Sequence, residues 1–253
     1  MSQPTVYLLS DEFITTEADP TTPLYHLSLS LASLTHRVSS IQFSRVVVQV
    51  GGGDTHNDPP KTTTTKLYNL VHPANAAHRT DIPAAWFTTT SDNNSEGLGN
   101  VQLLPPRRKH LPFAKPTFSA LLHASATSST SPLFPPDGGG LEPLFTARQT
   151  WAGRAWVWLD AGGKEVLARE EAPDGKQPRL VVTTTPEGMA RGVEDALVAL
   201  WVLRLWWGVA EEKGFREASL LEYMTPESLV PGGMDSLTKR TAGLGALAGG
   251  GAC

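Results

Sequence analysis

This 253-residue sequence has a single cysteine, and it is the last residue, Cys253. No internal disulfide can therefore form, which is typical of proteins from a reducing compartment. The formal net charge is −4, so no overall basic excess points to a nucleic-acid partner. The first residues, MSQPTVYLLSDEF, lack the basic start and the long apolar run of a secretory signal. We therefore expect a cytoplasmic protein that binds no nucleic acid.

Recognised motifs of catalysis and metal binding are missing as well. The sequence has no Gly-x-Ser-x-Gly nucleophile elbow. Neither Gly51–Gly53 nor Gly138–Gly140 is followed by the lysine and hydroxyl residue of a phosphate-binding loop. Cys253 has no histidine or asparagine nearby that would mark a reactive thiol. We predict no metal site and no cofactor, and a protein without enzymatic activity is the favoured interpretation.

One long apolar stretch is present instead, Glu194–Lys213 (EDALVALWVLRLWWGVAEEK). Between Asp195 and Glu211 only Arg204 is charged, so a helix here is apolar on every face rather than along one stripe. A membrane span needs ~20 apolar residues, and the apolar part of this stretch, between Asp195 and Glu211, is shorter and has a charge near its middle. We therefore predict no transmembrane segment, and a helix over Asp195–Glu212 that the rest of the chain encloses.

Before this stretch come short β-branched or aromatic segments bounded by Pro, Gly, Asn and Ser. Many short strands at close spacing predict a sandwich or a barrel, and a barrel of this size needs something inside it. The predicted fold is therefore mainly β: a closed antiparallel β-barrel of about eleven or twelve strands around a buried C-terminal hydrophobic helix. The predicted strands are Val6–Leu9, Leu24–Leu31, Ile41–Val50, Thr62–Val71, Trp86–Thr90, Val101–Leu104, Thr117–His123, Leu144–Gln149, Ala155–Leu159, Lys164–Arg169 and Arg179–Thr185.

The chain is predicted to divide near residue 215. Residues 1–215 form the barrel with its central helix, which Gly214 is expected to end. Residues 216–253 form a C-terminal extension with a short helical turn at Thr225–Ser228 and a Gly/Ala-rich tail.

Arg204 requires a partner if its helix is buried, because an isolated charge inside a protein is costly. Glu211 lies seven residues on, on the same helix face. An internal salt bridge or a carbonyl cap is the favoured interpretation of Arg204. The alternative is an arginine that anchors a ligand at the mouth of the barrel.

His72, His78 and Asp81 fall within LVHPANAAHRTDIP. The two histidines do not have the spacing of a metal site, and Asp81 before Ile-Pro is typical of a turn. Structural roles are therefore favoured. If the protein is an enzyme, these three residues and Arg204 are the catalytic candidates, since histidine titrates near neutrality and arginine offers a fixed cation.

The densest basic cluster follows two prolines and contains Arg107, Arg108 and Lys109; Lys239 and Arg240 add a basic pair near the C-terminus. Such clusters can bind phosphoinositides or other anionic membrane lipids, so these five residues are the ligand-binding candidates. A solvated loop is the more common explanation, because no aromatic-rich apolar face lies beside the cluster in the sequence.

The order of elements, roughly a dozen short strands and then an all-apolar helix, resembles the tubby C-terminal-like superfamily. That superfamily includes the tubby domains, the plant LURP-one-related proteins and the phospholipid scramblases. The resemblance covers approximately Val6 to Lys213 and implies a closed barrel around one hydrophobic helix. It also implies phosphoinositide binding, at the level of the fold and not of particular residues. The segments LYNLVHPANAAHRTDIP, DALVALWVLRLWW and TKRTAGLGALAGGGAC are similar to an uncharacterised group of filamentous-fungal proteins.

These features favour a non-enzymatic binding or adaptor protein whose partner is an anionic phospholipid surface or another protein. The alternative is an enzyme of fungal secondary metabolism with a pocket at one end of the barrel. Nothing in the sequence indicates an oligomeric state.

Overall fold

The structure is a computed structural model. It describes residues 4–33, 38–49, 61–72, 86–90, 98–106, 116–123, 141–150, 155–171, 177–183 and 189–224, with the side chains of 48, 49, 61 and 211–224 excepted.

Twelve strands and one long helix make up the described part of the chain. Every strand pairs antiparallel with its neighbours in sequence order, and β1 pairs with β12, which closes the barrel. A short 3-10 turn, Leu31–Ser33, precedes β4. The elements are β1 Thr5–Ser10, β2 Phe13–Thr16, β3 Tyr25–Leu27, β4 Ser40–Gln49, β5 Lys61–Val71, β6 Trp86–Thr90, β7 Asn100–Leu104, β8 Thr117–His123, β9 Glu142–Gln149, β10 Ala155–Leu159, β11 Val166–Glu171, β12 Arg179–Val182 and α1 Arg191–Met224.

The predicted fold class, a closed antiparallel barrel around a buried helix, is confirmed. Three strands, β6, β8 and β10, have the predicted bounds. The strand β2 was not predicted. Leu24–Leu31 was predicted as one strand, but only Tyr25–Leu27 pairs, and the 3-10 turn takes up its end.

The strands β10 and β11 form a hairpin, and its turn is held by Asp160. The Asp160 carboxylate accepts hydrogen bonds from the backbone N–H groups of Lys164 (2.7 Å) and Glu165 (3.0 Å). Those bonds favour the charged form and hold the pKa of Asp160 below its usual value. Gly163 has φ +66°, a conformation that glycine adopts without strain.

The part of α1 before Glu211 fills the barrel. From Leu197 to Leu203 every residue is fully buried, so the helix contacts protein on all faces, as its uniform apolar character predicts. The predicted end at Gly214 is wrong, because α1 continues to Met224. One glycine costs a helix about 1 kcal/mol, and the good helix formers that follow, such as Ala218 and Leu220, offset that cost.

The barrel has two ends that the strand directions define. At one end β12 finishes and α1 begins; we call it the entry end. At the other, the far end, the odd-numbered strands finish, including β5 and β11. Residues 195–206 of α1 run from the entry end, where Asp195 contacts β3 and β4, to the far end, where Trp206 contacts the start of β6.

By its contacts the chain forms two compact units, Met1–Ala210 and Glu211–Cys253. The first contains the twelve strands and the start of α1. The predicted short turn at Thr225–Ser228 and the Gly/Ala-rich tail lie outside the described residues. The division that we place near residue 215 stays a prediction.

Candidate functional site

Polar groups at two levels of the barrel interior hold α1 to the wall. Each level combines a charge on the helix with an opposite charge on a strand, and an aromatic side chain lies beside the pair. We call them the entry cluster, around Asp195, and the far cluster, around Arg204.

In the entry cluster, Asp195 of α1 forms an ion pair with Arg45 of β4. The same carboxylate accepts a hydrogen bond of 2.8 Å from the hydroxyl of Tyr25. Asp195 is 3 % exposed, so folding removes water from its carboxylate. Tyr25 and Arg45 each donate a hydrogen bond to one of the two oxygens in place of that water. The ring of Tyr25 stacks on Phe43 at 5.0 Å between centroids, which fixes the direction of its hydroxyl.

Tyr7 extends the entry cluster to the start of α1. Its hydroxyl donates a hydrogen bond of 2.5 Å to Glu194, and its ring lies 6.2 Å from that of Tyr25. Burial raises the pKa of both tyrosines well above the usual value, and the neighbouring carboxylates add to the shift. Both phenols therefore stay protonated at neutral pH and act as hydrogen-bond donors, not as bases.

In the far cluster, Arg204 of α1 forms an ion pair with Glu170 of β11. The Arg204 guanidinium carbon also lies 5.3 Å from the centroid of the Trp156 ring, a cation–π distance. Trp156 and Glu170 are directly paired residues of β10 and β11, so the same register places both side chains against the helix. The favoured interpretation of Arg204 is an internal salt bridge or a carbonyl cap; the salt bridge is present, and its partner is Glu170. The side chain of Glu211 lies outside the described residues.

Glu170 has an unusual environment for a carboxylate. It is 2 % exposed, and its Oε2 atom has no hydrogen-bond partner among the described residues. Burial raises the pKa of Glu170 to about 7, against the opposing effect of the Arg204 charge. Burial likewise lowers the pKa of Arg204, while Glu170 raises it. We therefore expect Glu170 to change its protonation state near neutral pH.

This titration predicts a pH dependence of stability. The pKa of Glu170 is raised from 4.5 to about 7, so between these values the folded protein holds a proton that the unfolded chain has released. The stabilisation that Glu170 contributes is complete below pH 4.5, and it is lost as the pH rises through the folded-state pKa of about 7. From about pH 5 to about pH 8, the free energy of unfolding should fall more steeply in the wild type than in Glu170→Gln.

Urea unfolding of both proteins across that pH range measures the difference. Glutamine keeps the shape of the protonated side chain but has no proton to lose. Equal slopes in the two proteins would show that folding does not raise the pKa of Glu170.

His72 lies elsewhere, next to Trp206 on a different side of α1. Its ring stacks on Trp206 at 5.4 Å and meets the edge of Trp86 at 4.3 Å. Arg204 precedes Trp206 by two residues, about 200° around the helix, and contacts β10 and β11 instead. The structure therefore does not bring His72 and Arg204 together, and His72 belongs to an aromatic layer.

Phe118 of β8 lies between α1 and β10 in a similar aromatic layer. Its ring lies 5.0 Å from that of Trp156 and 4.9 Å from that of Trp207. Side chains from β8, β10 and α1 thus interlock at the far end. Such aromatic pairs add about 0.5–1.5 kcal/mol each beyond the area that they bury.

The remaining site candidates lie outside the described residues. Two of these residues were catalytic candidates and five were ligand-binding candidates. They are His78, Asp81, Arg107, Arg108, Lys109, Lys239 and Arg240.

Concavities open on the outer surface around β2. One of about 400 Å³ is lined by Asp11, Glu12 and Phe13, and another of about 500 Å³ is lined by Thr5, Thr16 and their neighbours. Neither includes a candidate residue from the sequence. Within the part of the chain that the structure describes, no group of three acidic, histidine or cysteine side chains could hold a metal ion.

Sequence reasoning missed most of the buried cluster residues. For Glu170 a signal existed: β11 alternates, so Ala168 and Glu170 face inward while Arg169 and Glu171 are exposed. For Arg45 and Asp195, 150 residues apart, spacing carries no signal.

No family model, curated protein or solved structure matches this chain. No helix in the described residues is both long enough and apolar enough to cross a bilayer.

Proposed function

We propose that this protein is a non-enzymatic binding or adaptor protein that associates with anionic phospholipid surfaces. The observation that carries the proposal is the use of the barrel interior. There, Arg204 is paired with Glu170, and Asp195 is paired with Arg45, so these charges hold α1 in place. Recognition of a partner is therefore assigned to the outside of the barrel.

The residues proposed to meet the lipid are Arg107, Arg108 and Lys109, between β7 and β8. The strand β7 ends at the far end of the barrel, and its last residue, Leu104, is 36 % exposed. A basic residue near an anionic membrane contributes about 1 kcal/mol, so three in a row give measurable attraction at low salt. The resemblance to the tubby-like superfamily supports the same proposal at the level of the fold.

Vesicle co-sedimentation tests the proposal. The wild type should pellet with phosphatidylcholine vesicles that contain a phosphoinositide, at low salt, and not with phosphatidylcholine alone. At about 0.5 M salt the pelleting should largely disappear, because the attraction between exposed charges is screened. The triple variant Arg107→Gln, Arg108→Gln, Lys109→Gln should lose most of the pelleting, and the pair Lys239→Gln, Arg240→Gln should weaken it further.

A matched control removes three exposed charges elsewhere: Lys66→Gln, Lys164→Gln and Arg169→Gln. It should pellet like the wild type. Equal losses in both triple variants would mean that only net charge matters. If the wild type shows no lipid-dependent pelleting at low salt, the membrane role is withdrawn and a protein partner becomes the proposed ligand.

A second candidate function, an enzyme with a pocket at one end of the barrel, is favoured by Glu170 alone. A carboxyl group with a pKa of about 7 is suited to general acid–base catalysis at neutral pH. A small molecule that uses this group should raise the melting temperature of the wild type and not that of Glu170→Gln. A metabolite screen by thermal shift that yields no such compound would count against the enzyme.

A further inference from the structure

The strands β4 and β5 form a two-stranded ribbon that extends beyond the neighbouring strands β3 and β6 in the barrel wall. They pair with each other as far as Gln49 opposite Lys61. Among the described residues, β3 pairs with β4 only at Phe43–Arg45, and β6 pairs with β5 only at Tyr68–Val71.

The side chains of the ribbon agree with this geometry. Thr62 to Lys66 are all exposed, although successive side chains of a strand point to opposite faces, so neither face of this stretch of β5 is covered. On β4, Val46 is buried, so the uncovered part of that strand begins at Val47. Val47 is 39 % exposed and is one of few large apolar side chains at the surface of the described chain. A two-stranded ribbon without a third strand is marginally stable in water.

The direction of the backbone groups on β4 follows from one hydrogen bond. The Val46 N–H donates to the carbonyl of Leu24 at 2.8 Å, so Val46 faces β3. Backbone groups of a strand alternate in direction, so Val48 presents its N–H and C=O on that same side. At this level no residue of β3 lies opposite, because β3 begins at Tyr25, which is paired with Arg45. Val48 is paired with Thr62, whose own backbone groups face the opposite edge.

The two edges of the ribbon differ in charge. The β5 edge carries Lys61 and Lys66 at either end of a run of four threonines, and lysine on an edge strand opposes pairing with another strand. The β4 edge, Val46-Val47-Val48-Gln49, has no charge and is rich in β-branched residues. One edge therefore favours strand addition and the other opposes it.

We propose that the β4 edge pairs antiparallel with the β4 edge of a second copy of this chain, which gives a two-fold symmetric dimer. In this arrangement Val48 of one copy lies opposite Val48 of the other, and each Val47 lies opposite a Gln49, so no charge enters the interface. The joined sheet has the order β5, β4, β4, β5. Its outer edges carry the lysines, so growth stops at the dimer instead of forming a filament.

The full chain is tested by sedimentation velocity over about a hundredfold range of protein concentration. The wild type should show a reversible monomer–dimer equilibrium. Val48→Pro removes the outward N–H, and we expect the dissociation constant to rise about tenfold or more. Thr62→Pro, the matched control, makes the same change on the β5 edge of the same residue pair and should leave the dissociation constant within about twofold.

Val47→Lys provides a second variant if Val48→Pro does not fold. It places two lysines diagonally across the proposed interface and should also weaken the dimer, with more dimer recovered at high salt. A wild type that stays monomeric at every protein concentration overturns the proposal. It does so even if the β4 edge instead pairs with a strand of another protein. A dimer that neither β4 variant weakens, or that Thr62→Pro weakens equally, also overturns it.

Discussion

Replacing Leu200 or Trp206 by aspartate is expected to leave no folded protein. Both side chains are fully buried, and they lie on the helix around which the barrel closes. An unpaired carboxylate in such a place costs several kcal/mol, and the lost apolar volume adds about 2–5 kcal/mol. The total stability of a domain is roughly 5–15 kcal/mol, so either substitution should remove most or all of it.

The measurement is the yield of soluble protein together with its thermal unfolding. Leu29→Asp is the matched control, since Leu29 is 39 % exposed and the same charge there meets water. Leu200→Met, which nearly conserves volume, should cost less than about 1.5 kcal/mol. If Leu200→Asp melts within a few degrees of the wild type, α1 is not the centre of the core.

The fold was predictable because its strongest signals are local. An uninterrupted run such as Leu197–Leu203 has to be enclosed, and alternating segments with turn residues between them mark most strands. The strand β2 was missed because it has only four residues, and the turn before it contains no glycine. Asp11, with φ +48°, takes the left-handed conformation there, which aspartate adopts more readily than most residues.

The buried clusters were only half predictable. The sequence shows that Arg204 needs a partner, but spacing reveals partners only on the same helix, which favoured Glu211. The true partner, Glu170, comes from a strand 34 residues earlier, and closure of the barrel brings the two together. The inward position of Glu170 follows from strand alternation once β11 is known to extend past Arg169.

The two clusters also explain how α1 keeps one position inside an otherwise apolar barrel. Apolar contacts alone tolerate small shifts of a helix along its axis, because hydrophobic burial has no direction. The pairs Asp195–Arg45 and Glu170–Arg204 are directional, and they lie about two and a half helical turns apart on α1. They fix both the depth and the rotation of the helix, at the cost of burying four ionisable side chains.

The far cluster allows this cost to be measured with a double-mutant cycle. Arg204→Met leaves Glu170 buried without a cation, and Glu170→Leu leaves the Arg204 guanidinium without an anion. Breaking a buried pair on one side typically costs 3–5 kcal/mol, whereas replacing both partners by apolar groups of similar volume is often neutral or stabilising. The double variant should therefore be within about 1–2 kcal/mol of the wild type, and clearly more stable than either single variant.

The raised pKa of Glu170 makes the two single variants unequal. Glu170 can take up a proton when Arg204 is removed, because burial raises its pKa and the Arg204 charge no longer lowers it. Arg204 cannot become neutral in the same way when Glu170 is removed, since an arginine stays charged throughout the neutral pH range. At about pH 6, urea unfolding should therefore show a larger loss for Glu170→Leu than for Arg204→Met, and the gap should narrow as the pH rises above about 8. Additive losses in the double variant would mean that the two side chains do not depend on each other, contrary to the ion pair.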